Sequence, residues 1–345
     1  MNIKSERWQN YTKLEELTIN LSNPHVRDLA WVMQSPSLVT SINNEAASSG
    51  NIGVISDAFC AQILKKNHRW LQQLDQSPQP LIRFLAARET RKLGIYFEAL
   101  VCFWLSQRIA RGFFESHVKV SANNRDIGEF DFLFRSEKQM EHWETAVKFY
   151  LYTKNKDGEI NWYGPNASDT LEKKLHRMLA HQLRLSENPE AKSLLRAINQ
   201  DSVSARMFIK GYLFYPIDAE SEAPRQPVSG CEISSSHLAG WWANIESLGQ
   251  DVLNSFSSKS LRWRILPRLE WLAPRIYDTQ QAKESLVSSS RIIELTGQII
   301  SRSGRPSLIA GYSLNGSGQW QEESRGFVVG MNWPDSGSPP IPSKV

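Results

Sequence analysis

Four charged residues stand where chemistry would need them. Glu98 lies inside the apolar run LGIYFEALVCFWL, Asp131 sits mid-strand in GEFDFL, and Glu144 and Lys148 share HWETAVKFYL. Asp is depleted in strands, so an Asp between Phe130 and Phe132 is informative. An acid in an apolar helix needs a partner, a metal or water. Side chains alternate faces along a strand, so Glu144, Ala146, Lys148 and Tyr150 share one face. On an unbroken strand Glu144 and Lys148 are roughly 13 Å apart, at about 3.3 Å per residue. Both can reach one cleft, and a bulge would bring them closer. Carboxylates of this kind suit a hard divalent cation, Mg²⁺ or Mn²⁺. Such a cation acidifies its bound water and steadies charge growing on a phosphate, while a nearby lysine orients the water or balances that charge.

The elements that must position these groups follow from periodicity. Residues 82–111 read as one long helix or two abutting ones, with Leu93, Phe97, Leu100, Val101 and Trp104 at helical spacing. HVKVS, DIGEFDFLFR and WETAVKFYLYT then read as three strands, the last two joined by the polar turn SEKQME as a hairpin. Asn166 or Ser168 would cap a helix over 169–186, a short helix covers 189–200, and ARMFIKGYLFY is a fourth strand. The core order is therefore helix-strand-strand-strand-helix-strand.

Around this core the first 80 residues read as helical with polar breaks, including VRDLAWVMQS and 57–74. Beyond Pro216 a polar, Pro/Ser-rich stretch marks a boundary. A helix near 237–249, a strand-like 261–277, a helix over 280–300 and two late strands, SLIAGYSL and RGFVVGMNW, follow. The fold class expected is α/β, in four regions: N-terminal helical 1–81, core 82–216, C-terminal α/β extension 217–335, and a loose tail 336–345.

These stretches resemble the PD-(D/E)XK nuclease superfamily, whose restriction-endonuclease-like core has this element order. The chain also resembles a bacterial family of domains of unknown function, number 1853, grouped with those nucleases by remote similarity. VRDLAWVMQSPSL, LGIYFEALVCFWL, GEFDFLFR, HWETAVKFYLY, WYGPNASDTLEKKLHRMLAHQL and RGFVV carry that likeness over most of residues 25–333. The resemblance implies that Asp131, Glu144 and Glu98 bind the metal and that Lys148 is the signature lysine. It also implies a cleft-facing polar residue on the following helix, Gln182, with Lys173 and Lys174 meeting phosphates. One departure stands out. The pattern calls for an acid two residues before the lysine, where this chain has Ala146, and Glu144 lies four before it.

The bulk numbers fit this reading without demanding it. A net charge of +4 and a pI near 8.9 permit a nucleic-acid partner without telling DNA from RNA, and DNA is the partner expected. Three isolated cysteines give neither a disulfide framework nor zinc-ligand spacing, and point to a reducing cytoplasm. The first residues lack the apolar core of a signal peptide, and no run approaches the roughly 20 apolar residues of a membrane span. His142, His176 and His181 read as surface or groove residues, since His176 and His181 do not share a helix face. No P-loop or nucleophile elbow is present. Two readings compete with a nuclease. One is a catalytically inactive nuclease-fold protein that binds nucleic acid, favoured by Ala146. The other is a partner-binding protein using the Trp-rich C-terminal region, since the chain has twelve Trp. Oligomeric state stays open.

Overall fold

The computed structural model describes residues 21–43, 51–123, 125–155, 158–218, 227–256 and 260–335. The expected tail 336–345 and the first 20 residues lie outside them. Helix α1 (Pro24–Gln34) starts where the Asn23 side chain accepts from the backbone N–H groups of His25 and Val26, with Pro24 at the first helical position. Two short strands follow, β1 (Val39–Ile42) and β2 (Ile52–Val54), then α2 (Asp57–Gln76), α3 (Gln79–Ala86) and α4 (Leu93–Trp104). The expected helix over 82–111 is thus broken between Ala86 and Leu93, and it ends in a π-turn, Leu105–Ile109. The two short strands were not anticipated in the N-terminal region. Each forms by pairing with a strand far along the chain rather than from its own pattern.

Strands β3 (Phe114–Ala122), β4 (Arg125–Arg135) and β5 (Met140–Lys154) form an antiparallel meander, and β6 (Ile160–Tyr163) pairs with the far end of β5. Helix α5 (Leu171–Arg177) is capped by Thr170, not by Asn166 or Ser168, and it ends in a second π-turn, Met178–Gln182. Helix α6 (Pro189–Ala197) leads to β7 (Ser204–Pro216), which runs parallel to β5. Next come β8 (Cys231–Ile233), β9 (Leu238–Asn244), α7 (Gln250–Asn254), β10 (Arg262–Ile265) and β11 (Ile276–Tyr277). The chain continues through α8 (Thr279–Ser285), α9 (Ser289–Ser303), β12 (Ser307–Leu314) and β13 (Trp320–Val329). LAGWWAN, expected in a helix near 237–249, is strand β9. It lies between β7 and β13, parallel to both, and Trp fits such a pleated, buried surface.

The result is a mixed α/β fold on one large mixed sheet, with main order β10-β12-β13-β9-β7-β5-β4-β3. Strands from 217–335 continue this sheet past β7. One face packs against α1–α4 through Trp31, Phe97, Trp104, Trp143, Phe208 and Tyr212. The other packs against α5 through Ala146, Tyr150, Leu171, Leu175, Met178 and Ile209. The central pair β5–β7 approaches very closely at Lys148 and Gly211. A Cβ at Gly211 would lie 1.7 Å from the Lys148 carbonyl oxygen, and its φ of 142° is one that glycine tolerates.

Candidate active site

The site forms where two strands part. β4 and β5 pair from Phe132↔Trp143 to Arg135↔Met140, and on the other side of Phe132 the ladder stops. There the Asp131 carboxylate accepts from the Thr145 backbone N–H at 2.8 Å and from its hydroxyl at 3.3 Å. A side-chain acid replaces the backbone carbonyl of the neighbouring strand, so the fork opens without orphaning an N–H. β3 kinks at the same level. His117 has φ 56° between the pairs Ser116↔Phe132 and Val118↔Phe130. Its Nδ1 lies 2.9 Å from Glu129 Oε1 at the rim of the fork.

Register explains the role of Ala146. One step beyond Phe132↔Trp143, Asp131 lies level with Glu144. Ala146 is a further pleat along, buried in the apolar cluster against Leu171, Leu175 and Met178. The small side chain there lets α5 pack on the strand. The acid able to meet Asp131 is Glu144.

Glu144 is 1% exposed. Gln182, delivered by the second π-turn, donates its amide to Glu144 Oε1, and Lys174 Nζ donates to Gln182 Oε1 at 3.2 Å. Glu144 Oε2 has no donor among the described residues, and His142 Nε2 stands 3.7 Å from it. His142 is not a surface or groove residue as expected. It is wholly buried, edge-on to Phe130 at 4.7 Å, whereas His176 and His181 are exposed.

Burial and mutual repulsion make these carboxyls weak acids. Burial, then the neighbouring Asp131, pushes Glu98 up to about 7. Burial, then Glu144, pushes Asp131 up to about 6. Burial pushes Glu144 up to about 7 despite the opposing charge of Lys174 and the hydrogen-bonding influence of Asp131. Burial also lowers Lys174, which Glu144 and Asp131 partly restore, and lowers His142 to about 4. A carboxyl whose folded value is raised binds more protons in the native than in the unfolded state, so stability falls as pH rises between the two values. Glu144→Gln should therefore match wild type near pH 4 and be more stable by roughly 3 kcal/mol at pH 8, from about 2.5 units at 1.36 kcal/mol each. Urea unfolding at both pH values measures this. Equal stabilities at pH 8 would mean that Glu144 carries its charge at no cost.

Lys148 is engaged elsewhere. Its Nζ lies 2.6 Å from Asp169 Oδ2, which also accepts from the Tyr150 hydroxyl at 3.1 Å. The Gly164–Asp169 loop is pinned by Trp333, whose indole donates to the Pro165 carbonyl at 2.9 Å. Lys148 is still near enough to repel the Lys174 charge. The structure thus gathers Glu98, Asp131, Glu144, Lys174 and Gln182, sets Lys148 beside them paired to Asp169, and leaves Lys173 exposed on the outer face of α5. Sequence reasoning missed His142, Asp169 and the His117–Glu129 rim. It also gave no sign that Lys174 reaches the acids. The available signal was its place beside the buried stripe of Leu171, Leu175 and Met178.

The donor set suits a hard cation held by two carboxylates. Mg²⁺ commonly takes one or two carboxylates plus water and phosphate oxygens, and Asp131 with Glu144, one oxygen of which has no donor, supplies that pair. Among the described residues no three His, Cys, Asp or Glu side chains form a ready-made cage, and Glu98 stands close enough to Asp131 for their charges to repel. No helix among the described residues is long and apolar enough to cross a membrane.

No curated protein and no solved structure matches the chain. The family described as a domain of unknown function, DUF1853, matches residues 27–329. That match covers most of the chain, which therefore belongs to this family.

Proposed function

We propose that the fork is the active centre of a metal-dependent nuclease with a restriction-endonuclease-like core of the PD-(D/E)XK kind. The observation that carries this is the meeting of Asp131 and Glu144 at a strand fork, with Glu98 and Lys174 beside them. A divalent cation held by Asp131 and Glu144 would supply an acidified water and charge neutralisation at the phosphate. Gln182 holds the Glu144 carboxylate in place. Glu98, pushed up to about 7, is placed to exchange a proton with the reacting water near neutral pH. Lys174, linked to the acids through Gln182, is the cation we assign to balancing charge on the scissile phosphate. Exposed Lys173 would contact the nucleic-acid backbone, with DNA the favoured substrate. The unbridged cysteines Cys60, Cys102 and Cys231 fit a cytoplasmic setting.

A competing reading is an inactive member that binds nucleic acid without cutting it, favoured by the engagement of Lys148 with Asp169 and the apolar setting of Ala146. Cleavage of a labelled oligonucleotide with Mg²⁺ separates the two. Lys174→Ala should slow cleavage by about 100-fold, in line with loss of one charge-stabilising group, and Lys148→Ala by less than about 10-fold. The reverse order would return the lysine role to Lys148.

A further inference from the structure

A second concavity lies on the helix-covered face of the sheet, at the end of the β4–β5 hairpin. It is a cavity of about 410 Å³, a size that suits a small molecule. Its walls come from the start of α2, the π-turn after α4, the hairpin turn and β7. Phe59, Ile63 and Ile109 give it an apolar floor, and the Phe59 ring meets Trp143 at 6.0 Å. The rim is cationic. Lys66, Arg108, Arg111, Lys138 and Arg206 line it against two acids, Glu137 and Glu141. Both acids are engaged: Glu137 pairs with Arg111 at 3.0 Å, and Glu141 accepts from the Trp143 indole at 2.7 Å.

Two of the guanidinium groups are held in place before any ligand arrives. Arg108 Nε donates to the buried Asn67 Oδ1 at 2.5 Å, Asn67 is anchored to the Ile63 carbonyl at 2.8 Å, and the guanidinium lies 5.5 Å from the Trp70 ring. Arg206 Nη1 donates to the Asn51 and Ala205 carbonyls at 3.2 Å. Forks fixed in this way recognise a doubly charged phosphate better than loose lysines do, and the loss of side-chain freedom on binding is already met. An apolar floor below such a rim fits a ring carrying a phosphate.

We infer that this cavity is a binding site for a small phosphorylated ring compound of the mononucleotide class, separate from the carboxylate fork. The inference does not depend on the nuclease reading, because none of the lining residues belongs to the fork.

Titration calorimetry of the full chain with AMP, adenosine and inorganic phosphate tests it, with Asp131→Asn as a control that alters the fork alone. AMP should bind saturably below roughly 1 mM, at least 10-fold more tightly than adenosine or phosphate. Arg108→Ala should weaken AMP at least 10-fold. Lys66→Ala, on the exposed face of α2, should weaken it about 3-fold and guards against misfolding of the Arg108 variant. Asp131→Asn should leave it unchanged. Absence of saturable binding, equal binding of either fragment, or an Arg108→Ala variant that folds and binds like wild type overturns the inference. So does loss of AMP binding in Asp131→Asn, which would place the nucleotide at the fork.

Discussion

Asp131→Asn is expected to lower metal-dependent cleavage by at least about 100-fold while leaving the fold intact. The amide keeps an oxygen to accept from the Thr145 N–H, so the strand fork survives. The variant loses one of the two carboxylates that would hold the cation, and with it the largest local countercharge. Losing a single charge-stabilising group in a water-excluded site commonly costs two to three orders of magnitude in rate. Removing the charge also relieves repulsion with Glu144 and Glu98. The metal-free variant should therefore be at least as stable as wild type at pH 8. Initial rates and urea midpoints on the same preparation test both halves. A variant that is well folded and cleaves at the wild-type rate would remove Asp131 from the mechanism.

The second large effect concerns the frame that holds the fork. Asp28 on α1 is 1% exposed and accepts from Arg275 Nη2 at 2.9 Å, the Tyr96 hydroxyl at 2.9 Å and the Ala273 N–H at 3.2 Å. It joins α1, α4 and the segment before β11. Removing one member of such a buried set leaves the other charge without compensation, which typically costs about 3–5 kcal/mol. Asp28→Ala should lose that much by urea unfolding. The double variant with Arg275→Met should recover part of the loss, because the stranded guanidinium is gone. A loss below about 1 kcal/mol, or a double variant worse than the sum of the singles, would contradict this account.

Much of the site was legible because it depends on local pattern. An Asp in the middle of an apolar strand, an acid in an apolar helix, and the parity of HWETAVKFYL pointed to three carboxylates that the structure brings together. Parity also placed Glu144, Ala146 and Tyr150 on one face, and all three are buried there. What parity could not say is what faces them. Lys148 turns to Asp169, 21 residues later, because a loop pinned by Trp333 puts that acid within reach. Lys174 meets the acids because α5 packs down on Ala146. Both facts depend on long-range packing. In the fold, strongly periodic segments such as α2, β4, β5, β7 and β12 were readable, whereas β13 begins at Trp320, ahead of the expected RGFVVGMNW, and ends at Val329. LAGWWAN was not, because a strand buried between two parallel neighbours need not alternate. β1 and β2 are three or four residues long and exist through distant partners.

The measurement closest to the central claim is cleavage of end-labelled single- and double-stranded DNA and RNA by the purified chain at pH 8, with Mg²⁺, Mn²⁺ or EDTA. The account predicts products with either cation, none with EDTA, and none from Asp131→Asn with either cation. Products that form equally in EDTA, or no cleavage of any substrate by a folded chain that binds nucleic acid, would contradict it.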